Sequence, residues 1–164
     1  MKTKISLRSF NDNDIVLMEK WLYCDHVTPW YEHPLDWLKE IRGRHGAFSF
    51  ITHMIAELGG VPIGFCQFYD CKASQGEALE DWGMDINAQG EIFSIDYLIG
   101  EVDYLRSGYG KEMILLMLDK LRQLGVKTVI VLPDRQNTAS NRALESAGFT
   151  WDGERYRMDL EKSK

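Results

Sequence analysis

The stretch DYLIGEVDYLRSGYGKEMI, residues 96–114, contains an apolar run, a pair of glycines and the start of an amphipathic segment in direct succession. It predicts a β-strand, a glycine turn and an α-helix in that order. Such a turn leaves backbone N–H groups uncovered at the positive end of the helix dipole, which is an anion-binding arrangement. Gly108 and Gly110 allow close ligand approach, and Arg106 and Lys111 add positive charge. The stretch therefore predicts a site suited to a pyrophosphate.

Two familiar phosphate-binding loops do not fit these residues. The Walker pattern requires Gly five residues before Gly110 and Ser or Thr after Lys111, but the chain has Leu105 and Glu112 there. The dinucleotide fingerprint requires Gly or Ala at position 113, near the start of a doubly wound sheet, whereas Met113 lies late in this chain. Two glycines alone are equally compatible with a structural turn.

The elements around the glycine turn predict a parallel strand pair joined by a helix. In the helix after the glycines, Ile114, Met117, Leu118 and Leu121 share one face, and Gly125 suits its C-terminal end. The run TVIVL, residues 128–132, is typical of a strand covered on both faces. With the strand at 91–100, these elements form a right-handed βαβ unit.

The rest of the chain predicts further strands and helices of an α/β (α+β) fold. Upstream we expect a strand at 3–10, a helix at 15–23 capped by Asn11 or Asp12, and a short helix at 34–42. A hairpin follows, with runs at 48–58 and 61–70 around Gly59 and Gly60, and then a long loop at 71–90. A helix from Asn137 and a final strand end the pattern. Together these elements predict a mixed sheet of about six to seven strands with about four helices.

Length and composition favour one domain spanning residues 1–164. The longest strongly apolar run, MILLML from Met113, is too short to span a bilayer, and the first residues lack the apolar segment of a signal peptide. We therefore expect a soluble, cytoplasmic protein with no membrane partner. Cys24, Cys66 and Cys71 form no C-x-x-C pair, and the four histidines lack metal-ligand spacing, so no metal site is predicted. The sequence leaves homodimer formation open.

The charge distribution argues against nucleic acid as a partner, because the net charge is −6 and phosphate binding needs clustered Lys and Arg. Residues 73–105 hold eight acids and no Lys or Arg, so this segment supplies more than the whole negative balance. It is either a solvated acidic loop or an acidic basin that attracts a polycation.

Two separated motifs resemble the GNAT superfamily of N-acetyltransferases. They are YLRSGYGKEMI and, about thirty residues later, NTASNRALESAGF. The acetyl-CoA loop of that family reads Q/R-x-x-G-x-G/A, which Gly108 and Gly110 match, and Asn137 begins its next helix. Leu105 stands at the Q/R position, with Arg106 one place later. Leu144 stands where many members carry a tyrosine that protonates the departing thiolate.

Within that family the chain is similar to the aminoglycoside 6′-N-acetyltransferases. The shared stretches resemble VPIGFCQFYD, IDYLIGEVDYL, the GYG turn, the proline before the Asn helix in VLPDRQN, and the aromatic loop in KWLYCDHVTPWY. In that subgroup an aspartate on the strand before the I-G-E core is the proposed base, which implies Asp96. A further acid that contacts the antibiotic corresponds to Leu132 here, although Asp134 lies two residues on.

The resemblance implies acetyl-CoA as co-substrate and a small-molecule amine as acceptor. Asp96 is the candidate base, since a carboxylate in mid-strand is costly unless it is paired or used; the alternative is a structural aspartate. Backbone N–H groups near Leu98 and Ile99 are candidates to polarise the thioester carbonyl. The predicted cofactor-binding set is Leu98, Ile99, Arg106, Ser107, Gly108, Tyr109, Gly110, Lys111 and Asn137.

Carboxylates and aromatic rings are the groups expected to hold a protonated amino sugar, because they bind its ammonium groups and its apolar ring faces. The candidates are Trp30, Tyr31, Glu80, Asp81 and Asp134, whereas Trp21 and Trp37 fit ordinary core packing better. The predicted function is acetyl transfer to a primary amine of an aminoglycoside-like acceptor. Left open are another amine (a protein N-terminus, a polyamine or a siderophore precursor) and a non-catalytic acyl-CoA-binding module.

Overall fold

The computed structural model describes residues 4–77 and 90–160. Its strands are β1 (Ile5–Ser9), β2 (Ile51–Leu58), β3 (Val61–Asp70), β4 (Ile92–Ile99), β5 (Thr128–Val131), β6 (Thr150–Trp151) and β7 (Tyr156–Asp159). Its helices are α1 (Asp14–Leu22), α2 (Pro34–Arg42), α3 (Cys71–Glu77), α4 (Tyr109–Gln123) and α5 (Thr138–Ser146), with a short 3₁₀ turn at Val102–Tyr104. The strands form one mixed sheet in the order β1-β2-β3-β4-β5-β7-β6.

The sheet opens where β4 and β5 meet. All described neighbours pair antiparallel except these two, which run parallel. Their pairing covers only Ile92–Ser94 against 128–130, although β4 continues to Ile99. The second half of β4 therefore has β3 on one side and an edge without a β5 partner on the other.

Helices cover both faces of the sheet. On one face, α4 and α5 pack apolar side chains such as Met117 and Leu144 against Ile95 and Phe149. On the other face, α1 and α2 bury Trp21, Leu38 and Ile41 against Phe65 and Leu98. Since side chains alternate along a strand, neighbouring residues of β4 face different helix layers.

The predicted order of elements is confirmed with small shifts at the boundaries. The mixed sheet, the hairpin and the parallel βαβ unit lie where the pattern placed them. The N-cap of α1 is Asn13 instead of Asn11 or Asp12, because Asn11 bonds the N–H of Asn13 in a turn just before the helix. The prediction of a loop from 71 is wrong for Cys71–Glu77, which is helical, so the described residues hold five helices instead of about four.

The prediction of a single domain stays a prediction. None of the described helices combines the length and apolar character that a membrane span requires.

A histidine is buried on β2, the second strand of the sheet. His53 is 5% exposed, its ring lies 6.3 Å from that of Phe10 and 6.0 Å from that of Phe65, and neither ring nitrogen has a hydrogen-bond partner in the described structure. Burial, with a smaller effect from the Arg44 charge, lowers the pKa of His53 from 6.5 to about 4. The imidazole is therefore neutral in the folded protein near neutral pH.

This burial predicts a loss of stability in weak acid. Below about pH 6.5 the His53 side chain of the unfolded chain binds a proton, whereas that of the folded chain does so only near pH 4. The free energy of unfolding therefore has its full value above about pH 6.5 and decreases as the pH falls toward about 4. The shift corresponds to about 3 kcal/mol of unfolding free energy. Urea unfolding across this pH range should show the loss in the unsubstituted protein and a flatter profile in His53→Leu.

His45 provides the matched control because it is exposed. The variant His45→Gln should keep the pH dependence of the unsubstituted protein. A profile for His53→Leu as steep as that of the unsubstituted protein would contradict the assignment of this pH dependence to the buried imidazole.

Candidate functional site

The glycine turn before α4 has the geometry of an anion site. Gly108 is the N-cap residue of α4 and takes a left-handed conformation with φ of 84°, which side chains other than glycine rarely adopt. The N–H of Glu112 bonds the carbonyl of Gly108, so the N–H groups of Gly110 and Lys111 precede the main-chain ladder of the helix. Apart from its chain neighbours and the nearby backbone of its own helix, a Cβ atom at Gly110 would meet no described atom within 4 Å. The backbone of this turn is therefore open to a ligand.

A groove of about 380 Å³ runs from this turn along the open edge of β4. We call it the basic groove, since Arg106, Lys111 and Arg142 line it and its described lining includes no carboxylate. Its other walls include Leu98, Ile99, Asn137 and Ala143. Positive charge at one end and apolar walls along its length fit a phosphate-bearing ligand with a thioester arm.

The edge of β4 beyond the end of β5 exposes main-chain groups to the groove. The Gly100 N–H donates to the Ile63 carbonyl, so Gly100 and every second residue before it direct their main-chain N–H and C=O groups to β3. Tyr97 and Ile99 alternate with these residues and direct their main-chain groups to the opposite edge. Side chains of the segment after α1 contact that edge. The Tyr31 hydroxyl donates to the Tyr97 carbonyl, and the His26 ring lies 2.9 Å from the Ile99 carbonyl oxygen. The Leu98 N–H points to β3 by the same alternation.

The candidate base Asp96 is half-buried on β4, next to this edge. Its Oδ2 accepts a hydrogen bond of 2.9 Å from Nε2 of Gln67, a residue of β3 that is 2% exposed. Gln67 lies directly opposite Asp96 in the antiparallel register, so the amide holds the carboxylate in one orientation.

Asp96 lines two adjoining cavities. The central cavity, about 340 Å³, has walls from Trp30, Tyr31, Asp96, Tyr97, Asp134 and Ser140 among others. The acidic pocket, about 250 Å³, is lined by four carboxylates and by no described Lys or Arg; the carboxylates belong to Glu32, Asp36, Glu40 and Asp96. Trp37 and Tyr69 also line both cavities.

The central cavity also joins the basic groove. Five residues line both of them: Trp30, Tyr31, Tyr97, Asn137 and Ser140. A continuous path therefore leads from the positively charged turn before α4, past the open edge of β4, to the carboxylates around Asp96. This arrangement is suited to hold an anionic ligand and a cationic ligand side by side at one edge of the sheet.

The structure brings most of the predicted site residues to this path. Trp30, 38% exposed, and Tyr31 lie at the shared wall, and Asp134 lines the central cavity with Oδ1 accepting from the N–H of Gln136 at 2.8 Å. The predicted residues Glu80 and Asp81 lie outside the described residues. Asn137 caps α5, where its Oδ1 accepts from the Ser140 N–H at 3.3 Å.

The two tryptophans expected in the core differ. Trp21 is fully buried, which confirms the prediction. Trp37 packs against the same cluster but also lines the central cavity and the acidic pocket, with its ring 5.0 Å from that of Tyr31. Helical spacing showed that Trp37 faces inward, and it could not show that a cavity lies beside that face.

Sequence reasoning missed the acids of α2, the amide of Gln67 and the hydroxyl pair of Tyr97 and Ser140. The register of the β2–β3 hairpin with β4 is the signal that could have found Gln67, because a buried amide opposite a mid-strand carboxylate is an evident partner.

Burial and the nearby Asp96 carboxylate raise the pKa of the Tyr31 phenol well above its usual value, so this hydroxyl stays protonated.

No described group of three or more His, Cys, Asp or Glu side chains is placed to hold a metal ion. The chemistry that the described site can perform is that of a carboxylate base, main-chain N–H donors at a strand edge and a helix N-terminus that binds an anion.

Comparisons with known proteins identify the family and the fold of this chain. The sequence profile of the family described as acetyltransferase (GNAT) domain matches residues 11–156. Among curated relatives, aminoglycoside N(6′)-acetyltransferase type 1 of Klebsiella pneumoniae is 26% identical over 156 residues, covering 91% of this chain and 75% of the relative.

Solved structures share the fold over nearly the whole chain. The aminoglycoside acetyltransferase AAC(6′)-Ib in complex with coenzyme A and kanamycin superposes with a TM-score of 0.78 at 22% identity, covering 95% of each chain. The spermidine N-acetyltransferase from Vibrio cholerae, in complex with CoA and spermine, gives a TM-score of 0.75 at 15% identity, with 97% of each chain covered.

Proposed function

Because this chain belongs to the family of acetyltransferase (GNAT) domains, we propose that it transfers the acetyl group of acetyl-CoA to a primary amine of an aminoglycoside-like, polycationic acceptor. The observation that carries the proposal is the position of Asp96. This carboxylate lies between an acidic pocket and a cavity that opens into the basic groove. A relative that acetylates aminoglycosides shares 26% identity over most of the chain.

The basic groove is the proposed binding site of acetyl-CoA. The N–H groups before the first turn of α4, with Arg106 and Lys111, would hold the pyrophosphate, and the apolar walls near Leu98 and Ala143 would contact the pantetheine arm. Bound acetyl-CoA supplies the activated acetyl group. Main-chain N–H groups at the open edge of β4, with Ile99 among the predicted donors, would polarise the thioester carbonyl, an effect worth about 3 kcal/mol in comparable sites.

Asp96 is the proposed general base. An acceptor amine that enters from the acidic pocket arrives as an ammonium ion, and Asp96 takes a proton from it directly or through one water molecule. Gln67 keeps the accepting carboxylate in place by donating to Oδ2 at 2.9 Å.

The charge of the acceptor is inferred from the acids on α2 and just before it. Glu32, Asp36 and Glu40 extend the negative surface away from Asp96, so amino groups other than the reacting one have carboxylates to bind. Trp30 and Trp37 offer faces and edges of aromatic rings to the apolar side of a sugar ring. An acceptor with several ammonium groups and apolar ring faces fits both features.

An acceptor panel tests this proposal. Release of free thiol from acetyl-CoA should be fast with kanamycin-like antibiotics and slow with a short peptide, and KM should be lower for an amino sugar with several amines than for one with a single amine. Thiol release with only spermidine, or with only the peptide, would overturn the proposal that the acceptor is an aminoglycoside-like amine. No release with any amine, at concentrations where CoA binds, would overturn catalysis.

Blocking the glycine turn should abolish cofactor binding without unfolding the protein. The Cβ position of Gly110 faces open space, so Gly110→Val adds bulk where the pyrophosphate would lie without a clash at the Cβ atom. We expect CoA affinity to fall at least about tenfold, or about 1.4 kcal/mol, in calorimetric titration, with the melting temperature nearly unchanged.

Gly110→Ala is the matched control, since the family motif accepts alanine there and a single methyl group intrudes less. It should bind CoA nearly as tightly as the unsubstituted protein. Undiminished CoA affinity in Gly110→Val would show that the cofactor binds elsewhere.

A further inference from the structure

The residue expected to assist the departing thiolate is absent from its usual position. The resemblance places a tyrosine of many family members at Leu144, and here that side chain is fully buried in the core between the sheet and α4. An apolar side chain cannot donate a hydrogen bond to sulfur. The described site contains a pair of hydroxyl groups nearby, one on β4 and one on the same helix as Leu144.

Tyr97 and Ser140 form this pair across the opening between β4 and α5. Their hydroxyl oxygens lie 2.7 Å apart, and both residues line the basic groove and the central cavity. Ser140 precedes Leu144 by one helical turn, so the two side chains lie on the same face of α5. The phenol of Tyr97 therefore reaches from β4 to the stretch of α5 from which the usual tyrosine projects.

The base and this phenol lie on opposite faces of β4. Tyr97 packs with the layer of α4 and α5, whereas Leu98, which shares its face with Asp96, packs with α1 and α2. An amine next to Asp96 and a thioester next to Tyr97 meet at the strand edge that β5 leaves open. The sulfur then leaves on the side of Tyr97.

We propose that the hydroxyl of Tyr97, oriented by Ser140, donates a hydrogen bond to the sulfur of coenzyme A as the thioester breaks, replacing the donor lost at position 144. This inference rests on the proposed function. The amine nitrogen forms the new N–C bond, and the sulfur leaves with the electron pair of the C–S bond. The ammonium loses two protons in all: one passes through Asp96 to water, and one ends on the sulfur.

The surroundings keep this phenol in the donor form. Burial raises the pKa of Tyr97, and the nearby Asp96 charge acts in the same direction, while the hydrogen bond with Ser140 opposes them. The phenol also lies 3.4 Å from the main-chain carbonyl oxygen of Ser140, a distance at which a hydrogen bond is weak. When the Ser140 hydroxyl donates to the phenol oxygen, this long contact is the one that holds the phenol proton in the described structure, and the proton can turn from it to the sulfur.

The acidity of bound coenzyme A tests the proposal without relying on turnover. A hydrogen bond to the sulfur stabilises the thiolate, so the thiol of CoA bound to the unsubstituted protein should ionise below its usual pKa of about 8.5. In Tyr97→Phe the acid dissociation constant should fall by about 10- to 100-fold, the range for hydrogen bonds to charged groups. Ultraviolet absorbance of the thiolate, followed against pH with saturating CoA, measures both.

Two variants control this experiment. Tyr104→Phe removes a phenol outside the three cavities and should leave the thiol pKa unchanged. Ser140→Ala keeps the phenol but removes its partner, so it should raise the thiol pKa by less than Tyr97→Phe does.

The outcomes separate this inference from the proposed function. An unchanged thiol pKa in Tyr97→Phe, with undiminished acetyl transfer, would overturn the role of Tyr97 and leave the acetyltransferase intact. Absence of CoA binding in the unsubstituted protein would overturn the proposed function, and the inference with it.

Discussion

Replacing Asp96 with asparagine is expected to lower the rate of acetyl transfer by about 10²- to 10⁴-fold, the usual contribution of a positioned general base. The substitution preserves shape and the hydrogen bond of 2.9 Å from Gln67, because the asparagine side-chain oxygen can still accept from Nε2. It removes the group that takes the proton. The fold and the basic groove should therefore be unaffected, and CoA should bind as before.

Steady-state kinetics combined with CoA titration distinguish this loss from a general disturbance of the site. Asp134→Asn is the matched control, since this exposed acid also lines the central cavity but follows β5 instead of lying on β4. We expect it to raise KM for the acceptor a few fold with little change in kcat. Near-normal turnover in Asp96→Asn would mean that another group accepts the proton.

The glycine turn and the strand before it could be predicted because their patterns are local. A strand of apolar residues, two glycines and an amphipathic helix each have their own signature, and the structure places β4, Gly108 and α4 in that order. The mid-strand carboxylate Asp96 was also visible in the sequence, since its polarity interrupts the apolar run.

The pocket around Asp96 could not be predicted because it depends on packing between distant segments. The acids of α2 reach the site only because α2 packs on the sheet face that Asp96 shares. Their spacing in the sequence reads as the solvated face of an ordinary helix. Prediction from the sequence instead favoured Glu80 and Asp81, which lie outside the described residues.

The helix α3 was missed because it has little helical pattern of its own. It spans seven residues, includes Gly76, and begins after Asp70, whose Oδ1 accepts from the Lys72 N–H at 2.8 Å. The other carboxylate oxygen of Asp70 accepts from the Gly90 N–H at 2.6 Å, so one side chain joins both ends of the segment. Such a long-range contact leaves no periodic signal, although an Asp before a helix start is a recognisable cap.

The second large effect is expected at Gly100, the middle residue of the I-G-E stretch. A Cβ atom there would lie 2.1 Å from the Trp21 ring, which is fully buried on α1. The neighbouring Glu101 carboxylate accepts from the Trp21 indole N–H at 3.0 Å and from Lys20 at 3.2 Å. The end of β4 thus fixes α1, and with it the segment that carries Trp30 and Tyr31 to the site.

Gly100→Ala should destabilise the protein by about 3 kcal/mol, the upper end of the range for overpacked cores, because neither the ring nor the strand backbone has room to move. For a chain of this length, that loss lowers the melting temperature by about 6–12 °C. Calorimetry would measure the shift, with Gly46→Ala as the control because its Cβ atom would meet only the Gly43 carbonyl at 3.8 Å.

A double-mutant cycle tests whether the Trp21 ring is the cause. Trp21→Leu is destabilising by itself, since it removes buried area and the bond to Glu101, but it opens the space that the new methyl group needs. In the Trp21→Leu background, the loss of unfolding free energy caused by Gly100→Ala should be smaller by about 1–3 kcal/mol than in the unsubstituted protein, which is the coupling expected for residues in contact. Equal costs in the two backgrounds would show that the glycine is required for the backbone at the end of β4 and not for the close approach of α1.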